Sequence, residues 1–250
     1  MPRILTRRPG LRELALFLAA YLLYSAGRFV AIGDAGTAID NAHGIVDLEQ
    51  ALGFDIEGGV QRALDGSWLL WLLNHIYLAA QLVVVPGALI VLFRRSRKHY
   101  EQLRNTILAT WLVALPIYAL FPVAPPRLAG IGLVDTITAQ TGVALDSKLT
   151  TSMYNEYAAV PSLHAGFAVA VSFALAAMAT RRRWKVAAWL WAPTVSLAVV
   201  ATGNHFVTDI VAGVAVTVVG ALTGRAVARI ASGERELGGG GAAPALATSG

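Results

Sequence analysis

Three side chains of this sequence are suited to covalent chemistry: His164, His205 and Asp209. His205 and Asp209 stand four residues apart, so on a helix they share a face. The carboxylate can then accept a hydrogen bond from one imidazole nitrogen and leave the other as nucleophile or base. The same residues also suit a helix start, because Asn204, His205 and Thr208 are good capping types, and that structural reading stands beside the chemical one. His164 follows Pro161-Ser162, where the proline pre-sets the turn and Ser162 can cap. Alone, His164 reads better as a polar helix end facing headgroups; what changes this is that it shares one depth with the other two motifs. The third element is the stiff run Phe121-Pro122-Val123-Ala124-Pro125-Pro126-Arg127. Its terminal guanidinium has the planar fork that binds a phosphate through two charge-assisted bonds, and a helix N-terminus at Ser162 to His164 would add backbone donors. Arg127 could instead pair with an acid such as Asp135 or touch a lipid headgroup. The chain has no cysteine, which excludes disulfides, thiolate metal sites and a cysteine nucleophile.

These residues need elements to position them, and the composition says in what solvent. Of the 250 residues 56% are hydrophobic and 14% charged, with a mean hydropathy of +0.60, against about 25% charge in soluble domains. Apolar stretches at 11–32, 67–93, 104–121, 162–180, 185–202 and 206–228 are each near the roughly 20 residues that cross a bilayer. The expected fold is therefore all-α, a polytopic membrane protein with six transmembrane helices in one domain over 1–230. Residues 231–250, rich in glycine and alanine, are expected to be a disordered tail. The first stretch follows Arg3, Arg7, Arg8 and Arg12 like a signal peptide, but its apolar run is long and no small-residue cleavage site follows, so it reads as a retained anchor.

Orientation follows from Lys and Arg, which favour cytoplasmic loops. Sixteen of the 20 basic residues fall in four alternate segments. These are the N-terminus, the loop with Arg94, Arg95, Arg97, Lys98 and Arg104, the loop with Arg181, Arg182, Arg183 and Lys185, and the tail with Arg225, Arg229 and Arg235. Both termini are thus expected to be cytoplasmic, and the acid-rich first loop and the third loop outside. The net charge of +5 marks topology, and no nucleic-acid partner is expected. This topology puts the starts of the fourth and sixth helices and the end of the third at one depth near the outer face. Within 44–64, Ile45, Leu48, Leu52, Ile56 and Val60 recur at helical spacing, which suggests a surface helix interrupted at Gly58-Gly59.

Ala124-Pro125-Pro126-Arg127, Tyr157-Ala158-Ala159-Val160-Pro161-Ser162-Leu163-His164 and Gly203-Asn204-His205 with Asp209 resemble the motifs of the type 2 phosphatidic acid phosphatase superfamily. Within it the chain is similar to the bacterial branch related to inositol phosphorylceramide synthases, over about residues 45 to 220. The resemblance implies a metal-independent mechanism without cofactors: His205 attacks phosphorus, Asp209 orients it, His164 protonates the leaving oxygen, and Arg127 and Ser162 bind the phosphate. Two departures leave the pocket less cationic. Leu120 stands where the superfamily has a lysine, and Val199 where it has an arginine. Leu163 replaces the usual glycine, as in the synthase-like branch. Asn204, Lys148, Tyr157 and Asn155 are candidates for the missing donors. His75, which with Asn74 and Gln81 interrupts the second helix, is a candidate substrate contact or an interhelical hydrogen-bonding group.

The function expected is an integral membrane lipid phosphatase or phosphotransferase. It would act on a phospholipid or prenyl phosphate through a phosphohistidine, at the extracytoplasmic side of the cell membrane. Water or an alcohol such as inositol would be the acceptor. A non-catalytic phospholipid-binding or transport protein using the same anionic pocket is the alternative, though binding alone needs neither a general acid nor an oriented imidazole. Haem or metal ligation by histidine pairs fits poorly, since His75, His164 and His205 lack ligand spacing on one helix and no acidic or thiol partner completes a shell.

Overall fold

A computed structural model of the chain describes residues 9–30, 34–145, 147 and 155–239. It is all-helical. Helix α1 is Pro9–Val30, α2 Ala35–Leu52 and α3 Glu57–Leu64. Helix α4, Trp68–Ala79, runs through a π-helical turn at Ala80–Val84 into α5, Val85–Arg95. Helix α6 is Arg97–Leu120 and α7 the short Thr136–Thr141. Helices α8, Leu163–Met178, α9, Arg182–Ala201, and α10, Val207–Gly239, complete the chain. Four stretches among the described residues are long and apolar enough to cross a membrane: Trp68–Arg95, Arg97–Leu120, Arg182–Ala201 and Val207–Ile230. Helix α8 is apolar but shorter. The expected disordered tail, 231–250, begins inside α10, which runs on to Gly239; residues 240–250 lie outside the described residues.

Local chemistry sets the helix ends. Asp34, Ser67, Asp135 and Ser162 each accept a hydrogen bond from the backbone N–H three residues on, which satisfies one of the orphaned donors of a helix start. Pro116 and Pro193 sit inside α6 and α9, where neighbouring helices can compensate the lost hydrogen bond. The π turn immediately precedes Pro86, whose ring can give no N–H to the carbonyl four residues back. The expected interruption at Gly58-Gly59 lies elsewhere: both glycines are inside α3, and the break is at Gly53. With φ of 76° Gly53 closes α2, its N–H donating to Gln50 O and that of Phe54 to Glu49 O. Helical periodicity alone could not separate a glycine that ends a helix from one that is tolerated within it.

Helix α10 is the spine. Gly213, Thr217, Gly220 and Gly224 recur every three to four residues along it, and each small position admits a neighbour's backbone. A Cβ at Gly220 would lie 2.8 Å from Thr110 N of α6, and one at Gly224 would lie 3.0 Å from the carbonyl of Asn105. Facing Gly213, a Cβ on Gly166 of α8 would meet Gly213 O at 2.7 Å. Such close approach maximises dispersion contact in a lipid solvent that offers no hydrophobic driving force between helices.

The ends of these helices nearest His205 are stitched together by backbone pairing. Val123 N–H donates to Tyr157 O at 2.8 Å and Ala159 N–H to Val123 O at 3.2 Å, a short parallel bridge between the segments after α6 and before α8. Helix α2 joins them: Ala124 N–H donates to Ala38 O at 2.9 Å, and Asn41 Nδ2 to Pro122 O at 2.8 Å. Beneath lies a core of Ala38, Ala42, Ile45, Val123, Ala159 and Phe206.

Candidate active site

His205 is placed by what precedes and follows it. Gly203 turns the chain with φ of 68°, and the N–H groups of Asn204 and His205 both donate to Val199 O at 3.1 Å. At this position sequence reasoning noted a missing arginine. The valine side chain is instead wholly buried in an apolar cluster. After the turn, α10 begins at once, and Asp209 Oδ2 caps it by accepting Phe206 N–H at 2.9 Å. The same oxygen lies 3.1 Å from His205 Nδ1, and Ala159 O lies 3.0 Å from Nδ1 on another side. A carbonyl oxygen can only accept, so Nδ1 carries the proton and Nε2 is the unprotonated nitrogen. His205 and Asp209 are 6% and 0% exposed, so the pair is fixed in a dry setting.

His164 stands in the first turn of α8, its ring centroid 6.0 Å from that of His205 at an interplanar angle of 53°. Tyr77 of α4 stacks on its other face, with centroids 4.2 Å apart. Helix α8 is registered against α10 by Ser162 N–H donating to Asp209 O at 2.9 Å, and Tyr118 OH donates to Pro161 O at 2.8 Å from α6. Ser162 itself is buried, and its hydroxyl caps Ala165 N–H at 3.4 Å.

Arg127 comes from the proline-rich segment. Its backbone N–H donates to Gly203 O at 2.9 Å, which brings it beside the turn that carries His205. Its side chain is 2% exposed; Nε donates to Asn204 Oδ1 at 3.1 Å and Nη1 is 3.7 Å from Asp135 Oδ2. Asn204 is held in turn by donating Nδ2 to Thr202 Oγ1 at 3.0 Å. The pairing with Asp135 that sequence reasoning set against phosphate binding is thus present, on the side of the guanidinium turned from Asn204.

His164, His205, Arg127, Asn204 and Asn155 line one end of a cavity of about 1030 Å³. It runs between α1, α4–α5, α6 and α8 to Glu13 and Tyr100 at the far end, with Phe17, Leu82 and Pro86 along the way. Three other candidate substrate contacts are not on its wall, and Ser162 is one of them, its hydroxyl engaged by the α8 cap. Tyr157 packs against the core of Ala38, Val123 and Phe206, its N–H donating to Asn155 Oδ1. His75 is not on the cavity wall; its Nδ1 is 2.8 Å from Trp71 O, one turn back. Lys148 falls outside the described residues.

Sequence reasoning missed Tyr77 and Tyr118, which sit among apolar residues with nothing to distinguish them. It also missed Glu49 and Glu57. Glu49 continues the spacing of the buried Ala38, Ala42 and Ile45 on α2, a signal that was present but was read as outer-loop charge. No group of His, Asp and Glu suited to a metal ion occurs among the described residues.

The model of the PAP2 superfamily matches residues 43–223. A search of curated proteins finds no match. Among solved structures, Aquifex aeolicus LpxE is similar at a TM-score of 0.51 and 16% sequence identity, over 68% of this chain and 92% of that one. At that identity the likeness speaks for the fold.

Proposed function

Because this chain belongs to the PAP2 superfamily, we propose that it is an integral membrane lipid phosphatase working through a phosphohistidine on His205. The observation that carries the reading is the double acceptor at His205 Nδ1, which leaves the Nε2 lone pair as the group able to attack. In the first step Nε2 bonds to phosphorus, the ester P–O bond breaks, and His164, entering protonated, gives its proton to the departing lipid oxygen. Asp209 offsets the positive charge that develops on the imidazole. In the second step water attacks phosphorus, His164 takes its proton, and the N–P bond returns its electrons to Nε2. Arg127, steadied by Asn204, stabilises the equatorial oxygens, with α8's first N–H groups as further donors.

The lipid chain of the substrate would lie in the apolar cavity, whose rim residues Leu14, Leu82 and Ile90 are exposed. Six spans with both termini cytoplasmic, as the distribution of Lys and Arg supports, would put the site at the outer face. An alcohol in place of water would make the enzyme a phosphotransferase; Leu163 in the synthase-like motif favours that acceptor, and inositol is the natural trial. The experiment is phosphate release from a panel of lipid phosphates in EDTA, with and without inositol, for wild type and His205→Ala. Release lost in the variant supports the phosphatase. A new phospholipid formed only with inositol makes it a transferase, and phosphate release undiminished in His205→Ala overturns the mechanism.

A further inference from the structure

Three successive backbone N–H groups at the start of α10 end on three different carboxylates. Phe206 N–H donates to Asp209 Oδ2 at 2.9 Å, Val207 N–H to Glu57 Oε1 at 2.8 Å and Thr208 N–H to Glu49 Oε1 at 2.6 Å. The last two come from the far side of the outer layer, because the break at Gly53 folds the end of α2 against the start of α3. Glu49 and Glu57 are 0% and 1% exposed, and their side chains lie within hydrogen-bond reach of each other. Two ionised carboxylates in such a place repel across a dry contact, and a carboxyl pair escapes the cost by keeping one proton between them. Glu49 Oε2, buried with no fixed donor among the described residues, is where that proton would be received.

We propose that Glu49 and Glu57 are positioning residues for His205, sharing one proton while they clamp the first turn of α10, and that losing the proton loosens the clamp and slows phosphoryl transfer. Helix starts tolerate an anion well, but two anions on adjacent amides exceed what about half a positive charge can offset. Burial pushes the Glu57 carboxyl up to about 7, and the adjacent Glu49 adds to the effect. The titratable groups facing Glu57 are Glu49 from α2 and Asp209 from α10, with His205 beyond Asp209. A carboxyl raised in the folded state contributes stability that is whole below its ordinary 4.5 and is lost as pH rises through about 7.

The inference rests on His205 as the nucleophile, and the test separates the two. Kinetics and thermal melting of purified full-length protein are followed across about pH 5 to 8 for wild type, Glu57→Gln, Glu57→Ala, Glu49→Ala and His205→Ala. Glutamine imitates the protonated partner: its oxygen still accepts Val207 N–H and its amide donates to Glu49. Expected are a wild-type kcat and melting temperature that fall through about pH 7 and their levelling in Glu57→Gln with kcat kept. Both alanine variants should lose about tenfold or more in kcat with KM nearly unchanged. With His205→Ala inactive, wild-type kcat in both alanine variants, or an unaltered inflection in Glu57→Gln, overturns the proposal alone. An active His205→Ala overturns the nucleophile reading and the clamp with it.

Discussion

Replacing Gly213 by alanine adds one methyl group where, of the glycines among the described residues, a Cβ would come nearest to another backbone atom. The new Cβ would lie 2.9 Å from the carbonyl carbon of Ser162, 3.1 Å from its nitrogen and nearer still to its oxygen, where ordinary contact begins at 3.4 Å. These are backbone atoms and cannot swing aside, so α8 and α10 must separate by at least about half an ångström, and by more than about one if the oxygen governs. The strain falls on the register bond from Ser162 N–H to Asp209 O, and so on the spacing of His164 from His205. A misplacement of about 1 Å costs about 10²-fold in rate, while overpacking costs about 1–3 kcal/mol of stability. The expected result for Gly213→Ala is a folded protein, melting a few degrees lower, with kcat reduced about 10²-fold. Gly44→Ala is the control, since a Cβ there meets nothing within 4 Å. Phosphate release and thermal melting in the same detergent read both effects. Activity within about threefold of wild type would show that the two histidines need no such register.

Other perturbations follow from the same geometry. His164→Ala should lower kcat by about 10²–10⁴-fold, and an ester with a better leaving group should recover more of that loss than of the loss in His205→Ala, as compared in single-turnover assays. Arg127→Lys keeps the charge but loses the planar fork that meets Asn204, so kcat/KM should fall by about tenfold or more, read from initial rates. Glu13→Ala leaves Arg104, which donates to both carboxylate oxygens at 2.9 Å, and Tyr100 without their buried partner, and should cost about 3 kcal/mol, with little added by the half-exposed Arg97. Thermal melting checks it.

Much of the architecture was legible because lipid imposes long uniform apolar runs. Helices occupy all six stretches read from hydropathy, and the candidate site residues His164, His205, Asp209, Arg127, Asn204 and Asn155 meet around one cavity or behind it. What sequence could not convey was the direction in which side chains turn on the segments between the long apolar helices. Asp135 looked like a rival for Arg127 and proves to cap α7 while flanking the guanidinium. Glu49 and Glu57 counted as loop charge, yet they are buried because the break at Gly53 turns both inward. His75 looked like a substrate contact or an interhelical hydrogen-bonding group, but its hydrogen bond stays within its own helix: a four-residue return to Trp71 O holds its ring beside that indole. Each difference is a matter of where one turn of helix ends, which periodicity resolves poorly.

A cavity with an exposed apolar rim between α1 and α5 also fixes the units in which turnover is counted. A lipid reaching His205 by that route never leaves the plane of its host phase, so the encounter rate depends on its mole fraction among surrounding amphiphiles and not on its molarity in the tube. Adding detergent at constant substrate should therefore slow the enzyme by surface dilution, without touching a single residue of the site.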